Sequence, residues 1–216
     1  MQNSLVVSLT GDFSSGSKVF ITDPASCAFC KDENSIISFL EQNNLEPVAI
    51  FLTHGHFDHV AGLSVLKRKF PTLPILIHKN DSHLIGENSQ NFQKNFLAAM
   101  DFLDFLPSVS NLPAADFFLE DGKLFSSYIN LSGFDEWQVI FTPGHTQGSC
   151  CFFNKNKKIL ISGDTIFYHS YGRTDLAGGN ETKMIESLNK IYSKLPKDTC
   201  VYSGHGECGF LLGENL

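Results

Sequence analysis

No run of lysine or arginine stands out in the 216 residues, and the formal net charge is −7. Without a basic stripe there is no electrostatic footprint for a phosphate backbone, so nucleic acid is not an expected partner. No apolar stretch approaches the ~20 residues needed to span a bilayer. The opening Met1-Gln2-Asn3-Ser4-Leu5-Val6-Val7 lacks both the basic flank and the sustained apolar core of an export signal. These absences predict a soluble, cytoplasmic protein with no membrane partner. No Pro/Ser-rich linker or shift in composition divides the chain, which predicts a single domain over residues 1–216. With 42% hydrophobic and 18% charged residues, the composition is that of a folded globular protein rather than a disordered one.

Cysteine is sparse for a disulfide framework. The six residues, Cys27, Cys30, Cys150, Cys151, Cys200 and Cys208, read as reduced thiols in a chain of this length with no secretory signal. Cys27-Ala28-Phe29-Cys30 is a lone C-x-x-C with no second copy to complete a zinc clamp. It reads as a redox pair, half a metal site, or a loop that happens to hold two thiols. Cys150 and Cys151 fall in an apolar run and belong to a core. Phenylalanine is abundant, with 20 residues, and points to an aromatic core.

The apolar pattern alternates between strand and helix periods. Val6–Leu9 and Val19–Thr22 read as strands around the turn at Gly11–Gly16, with Asp23-Pro24 ending the second. Asp32–Asn44 reads as a helix capped by Asp32, with Ile36, Ile37 and Leu40 on one face. Val48–Leu52 is a buried strand. Val60, Leu63, Leu66 and Phe70 recur at helical spacing, with three cations in the last turn, where the helix dipole favours them. Ile75–Ile77 is a further strand. This strand-helix alternation predicts an α/β fold with helices packed on a sheet. From Gln90 to Asp116, Phe92, Phe96, Met100 and Leu103 mark an amphipathic helix in an aromatic segment that is a candidate pocket wall. Leu119–Gly122 reads as a turn. Gln138–Thr142, Ser149–Phe153 and Lys158–Ser162 read as antiparallel strands. Glu181–Leu195 reads as a helix with Met184, Ile185, Leu188, Ile191 and Tyr192 inward, and Thr199–Ser203 as the last strand.

Chemistry concentrates at Thr53-His54-Gly55-His56-Phe57-Asp58-His59, three imidazoles and a carboxylate within six positions at the end of a buried strand. His54 and His56 can point one way while Asp58 and His59 point the other, so one loop can serve two metal ions. Neutral imidazole and carboxylate suit divalent ions such as zinc, iron or manganese. Three further donors sit just past strands in glycine-containing turns: His145 in Pro143-Gly144-His145-Thr146, Asp164 in Gly163-Asp164-Thr165, and His205 in Gly204-His205-Gly206.

The order His54-x-His56-x-Asp58-His59, His145, Asp164, His205 resembles the metallo-β-lactamase fold superfamily over nearly the whole chain. Within it the chain is similar to the glyoxalase II group, through Thr142-Pro143-Gly144-His145-Thr146-Gln147-Gly148-Ser149, Gly163-Asp164-Thr165-Ile166-Phe167, Gly172-Arg173-Thr174-Asp175 and Gly204-His205-Gly206. The resemblance implies an αβ/βα four-layer sandwich with two facing mixed sheets and a site for two divalent ions, zinc first among them. It implies that His54, His56 and His145 hold the first ion, that Asp58, His59 and His205 hold the second, and that Asp164 bridges. Two such ions share a water and lower its pKa. Asp58 then has a second role in orienting it. A thiolate leaving group departs without prior protonation, its thiol pKa being about 8.5, so the absence of a dedicated general acid fits thioester cleavage of a small-molecule substrate such as S-D-lactoylglutathione.

The match departs at its end. Glyoxalase II proper continues into a helical segment that helps grip glutathione, whereas this sequence runs only 11 residues beyond His205 (216 − 205). Glu207-Cys208-Gly209-Phe210 also replaces the threonines usual after Gly-His-Gly. Arg173 stands where the group often places a substrate-facing cation, and it serves either a substrate carboxylate or a salt bridge to Asp175. Iron-dependent persulfide dioxygenases of the same fold, a β-lactamase or lactonase, and a non-catalytic metal-binding protein are the competing readings.

Overall fold

The computed structural model describes residues 3–9 and 13–215. Most of the turn expected at Gly11–Gly16 is described, but Gly11 and Asp12 lie outside. The chain forms two compact units, one of residues 4–118 and one of residues 119–215 together with Asn3.

The first unit is built on the sheet β1-β2-β3-β4-β5. Strand β1 (Leu5–Ser8) pairs antiparallel with β2 (Lys18–Thr22). β2 runs parallel to β3 (Glu46–Phe51), and β3 parallel to β4 (Ile75–His78). Parallel neighbours need a crossover, and helices supply it. Helix α1 (Ser35–Gln42) joins β2 to β3, while α2 (Phe57–Val60) and α3 (Leu63–Lys69) join β3 to β4. Because a parallel sheet is covered on both faces, its strands are apolar throughout rather than alternating. Phe20, Ile21, Ile50, Phe51 and Leu52 are accordingly fully buried. Helix α1 starts after Asn34 rather than at Asp32, whose carboxylate accepts from the Cys27 amide (2.8 Å) and closes the preceding turn instead. Helix α4 (Gln90–Ala99) ends earlier than its apolar pattern suggested. Met100 and Leu103 lie beyond it and are exposed, so the inward stripe is Gln93, Phe96 and Leu97. Strand β5 (Phe117–Leu119), not foreseen, ends at the boundary between the units.

The second unit carries the sheet β10-β9-β8-β7-β6. Strands β6 (Trp137–Phe141), β7 (Cys150–Asn154) and β8 (Ile159–Gly163) are antiparallel as expected. Helix α5 (Glu181–Lys194) then crosses over so that β9 (Cys200–Ser203) lies parallel to β8, and the two-residue β10 (Phe210–Leu211) adds an edge. Phe125 packs its ring against Phe134, Trp137 and Phe152 at centroid separations of 5.2–6.0 Å, which places part of the phenylalanine excess in a core. Asn180 caps α5, its side-chain oxygen accepting from the Lys183 amide (2.9 Å). The inward face of α5 differs from the expected one, because Ile185 is 42% exposed while Ser187 is buried. The Ser187 hydroxyl donates to the Pro143 carbonyl (2.7 Å). The helix therefore lies too close to the Pro143-Gly144 turn for a larger side chain at that contact.

Lys190 ties α5 to the start of the unit, with Nζ 2.9 and 3.0 Å from the two Asp121 carboxylate oxygens. Burial alone pushes Asp121 up, but the Phe141 amide and the Lys190 ammonium outweigh it and hold the carboxyl below its usual range. A depressed folded-state pKa gives stability that is present above the unfolded-state value and is lost as pH falls through the folded one. The urea midpoint difference between the native chain and Asp121→Asn is therefore expected to shrink as pH falls from 7 toward 3. The side chain is half exposed, so the difference at pH 7 stays below about 1 kcal/mol.

Candidate metal centre

The strand-end loops carry the histidines and acids singled out in the sequence, and each unit orders its own set. In the first unit β3 ends at Phe51 and the chain turns through His54-Gly55-His56 into α2, which begins at Phe57. His54, His56 and His59 are buried at 1%, 4% and 0% exposure, and Asp58 in the first turn of α2 is half-buried. The ring centroids of His54 lie 3.9 Å from those of His59 and 4.8 Å from those of His56. Three imidazoles so crowded and so dry are a poor way to fill a core, because each must satisfy two ring nitrogens.

The hydrogen bonds settle which ring nitrogen carries the proton. Asp23, at the end of β2, is 2% exposed. Its carboxylate accepts from the Thr53 amide (2.8 Å), the Thr53 hydroxyl (2.5 Å) and Nδ1 of His59 (3.0 Å). A carboxylate can only accept from an imidazole, so His59 carries its proton on Nδ1 and presents Nε2 as the lone-pair nitrogen. The Thr53 hydroxyl has spent its one proton on Asp23. It therefore accepts from Nδ1 of His54 (3.1 Å), and His54 too presents Nε2. Although Asp23, His54 and His59 each place a donor atom within 4.8 Å of one another, the three bonds received by Asp23 make it the group that orients the histidines. Asp81, fully buried, accepts from the Gly55 amide (3.2 Å). Gln93 of α4 donates to the Leu84 carbonyl (2.7 Å) and more weakly to that of Gly55 (3.4 Å). Phe96, one turn along, stacks on His56 with centroids 4.9 Å apart. The aromatic segment after Gln90 thus forms a wall behind the loop.

In the second unit His145 follows β6, Asp164 follows β8 and His205 follows β9. A register shift between Ile161 and Gly163 distorts the end of β8, which stays paired to β9 through Gly163 and Ser203 just before Asp164. Oδ2 of Asp164 lies 3.5 Å from Nε2 of His145 and 3.3 Å from Nε2 of His205. Nδ1 of His145 donates to the Arg173 carbonyl (2.8 Å), so this ring has the same tautomer as His54 and His59. His145 and Asp164 are buried at 3% and 8%, and His205 is half-exposed.

Arg173 therefore contributes through its backbone. Its guanidinium is exposed and grips Asp175 through two bonds of 2.7 Å, which holds the Asp175 carboxyl down at about 2. Thr174 and Tyr171 both donate to Glu181 at the start of α5 (2.5 and 2.8 Å), so the Gly172–Asp175 loop is pinned at both ends. Asp23 and Asp81 were not singled out in the sequence. Their partners lie 36 and 26 positions away, and the one local signal, a strand-ending Asp-Pro, reads as a turn.

Buried imidazoles with Nδ1 hydrogen-bonded and Nε2 as the lone-pair nitrogen, beside carboxylates, are the donor set of a borderline divalent ion. Such donors at the strand ends of each sheet mark a metal-binding protein of α/β class. The match is specific: residues 6–205 fit the metallo-beta-lactamase superfamily, and the chain belongs to that family. The chain is 34% identical over 173 residues to the Bacillus subtilis protein named "Probable metallo-hydrolase YqgX", covering 80% of this chain and 75% of that one. It is 29% identical over 171 residues to the Haemophilus influenzae "Hydroxyacylglutathione hydrolase GloC", covering 79% and 74%. Among solved structures, that of the BLEG-1 B3 metallo-beta-lactamase superposes with a TM-score of 0.78 at 28% identity, covering 99% of this chain and 90% of that one. The di-iron-bound form of TTHA1623 superposes with a TM-score of 0.76 at 27% identity, covering 99% and 91%. The α/β fold expected from the sequence is thus the fold of this superfamily, and its members bind divalent metal. Among the described residues no helix is long and apolar enough to cross a membrane.

Proposed function

We propose that this chain is a dinuclear metal-dependent hydrolase of small thioesters, with S-D-lactoylglutathione as the first substrate to test. The motif order assigns His54, His56 and His145 to one ion, Asp58, His59 and His205 to the other, and Asp164 to both. The observation that carries the reading is the shared tautomer of His54, His59 and His145, each with Nδ1 engaged so that Nε2 carries the lone pair. Zinc suits these donors, and the di-iron relative makes iron the alternative. When bound, the ions lower the pKa of water and polarise the substrate carbonyl.

The chain's own residues supply the rest. Asp58, half-buried at the start of α2, is placed to hold and orient a water proton. Asp23 and the Arg173 carbonyl keep the imidazoles in one tautomer, so no rearrangement is needed on binding. A leaving thiolate needs no proton donor, in keeping with the lack of an assigned general acid among these residues. The Haemophilus relative's name supports a glutathione thioester.

The test offers S-D-lactoylglutathione, a glutathione-free thioester and a β-lactam to the purified chain, with metal content measured and oxygen uptake on glutathione persulfide followed in parallel. Thioester hydrolysis with about two metals per chain supports the proposal. One iron per chain with oxygen uptake, or turnover of the β-lactam alone, overturns it. Asp23→Asn keeps the shape but loses the charge that orients His59. It is expected to weaken metal affinity by 10–100-fold, seen as an earlier loss of activity during chelator titration.

A further inference from the structure

The lone C-x-x-C lies outside the candidate centre, in the turn between β2 and α1. The backbone closes on itself there, with the Lys31 amide on the Ala28 carbonyl (3.1 Å) and the Asp32 amide on the Cys27 carbonyl (3.3 Å). Lys31 takes a left-handed conformation at φ 60° to complete the turn. As a result Cys27, Cys30 and Asp32 each bring a donor atom within 4.8 Å of the other two. Cys27 is buried at 1% while Cys30 and Asp32 are exposed. Oδ1 of Asp32 is held by the Cys27 amide (2.8 Å), which fixes the carboxylate beside the thiols and leaves Oδ2 as the outward oxygen.

We propose that Cys27, Cys30 and Asp32 form a second, peripheral site for a thiophilic divalent cation such as zinc, with water as the fourth ligand. Zinc–sulfur bonds of about 2.3 Å in a tetrahedron put ligand atoms roughly 3.8 Å apart. The three donors need close by only about 1 Å, within reach of side-chain rotation at two exposed positions. Binding releases the two thiol protons to solvent as two metal–sulfur bonds form. The competing use of such a pair is thiol–disulfide exchange, which needs a reactive thiolate. Here a third donor, the Asp32 carboxylate, is fixed beside the two thiols by the Cys27 amide, which completes a cation's ligand set and which a redox pair does not need.

Occupancy would stiffen the turn that presents Phe29. That ring packs on Phe102 and Phe105 (5.2 Å each), and Phe105 packs on Phe57 beside the histidine loop (4.9 Å).

Cobalt separates this site from the histidine centre, because only a cobalt–thiolate bond gives sulfur-to-metal charge-transfer absorption. Titrating the full chain with Co²⁺ is expected to produce that band, saturating at one thiolate-bound cobalt per chain. Cys30→Ser and Cys30→Ala, both at an exposed position, abolish it without moving the denaturation midpoint. Asp32→Asn keeps the bond from the Cys27 amide but weakens cobalt binding by about tenfold or more. No charge-transfer band, a band that survives in both Cys30 variants, or a Cys27–Cys30 disulfide in protein purified with zinc present would overturn the proposal.

Discussion

Asp164→Asn is expected to lower hydrolysis on the order of 10³-fold while leaving the fold intact. Asp164 stands between two imidazoles, with Oδ2 3.3–3.5 Å from Nε2 of both His145 and His205. Asparagine preserves the volume and one oxygen, so packing is nearly unchanged. It removes the negative charge that offsets the cation bound by those rings, and it offers an amide nitrogen that cannot ligate. The checks are initial rate and metal content measured together, with circular dichroism to confirm folding. A variant that keeps full metal content and at least a tenth of the native rate would remove Asp164 from the proposed centre.

Gly172→Ala is expected to cost about 3 kcal/mol of stability and to carry activity down with it. The residue is buried, and a methyl group built on it would meet the Asp164 carbonyl oxygen at 1.9 Å and Nδ1 of His145 at 3.1 Å. Neither atom can yield cheaply. The first is backbone just past β8, held by the Gly163–Ser203 pairing and by the Thr165 amide on the Ser162 carbonyl (3.0 Å), and the second donates the bond to the Arg173 carbonyl that fixes the His145 tautomer. Displacing them moves two proposed ligands at once. The measurement pairs a urea midpoint with the initial rate under fully folding conditions. A neutral midpoint would mean that the loop accommodates the methyl group by sliding, and the rate would then be unaffected too.

Much of this was legible from residues alone. The long apolar runs named most strands, and the proposed donors stand out because they cluster where a strand gives way to a glycine-containing turn. The illegible parts share a physical cause. Strands β5 and β10 are three and two residues long and depend on a neighbouring strand rather than on their own pattern. Apolarity points Ile185 inward, yet the turn at Pro143-Gly144 comes so close that serine faces in instead. A methyl group on Gly144, itself at φ +149°, would lie 2.5 Å from the Met184 Cα. Asp23 and Asp81 were passed over because their work is done across the fold, and spacing along the chain cannot report contacts made 36 and 26 positions away.

The buried thiols give each unit its own reporter. Cys27 lies in the first unit and Cys151 in the second, at 1% and 0% exposure. Burial pushes Cys151 up to about 11. An alkylating reagent can therefore reach these sulfurs only through structural opening. Their relative labelling rates register whether the two halves come apart together or one before the other.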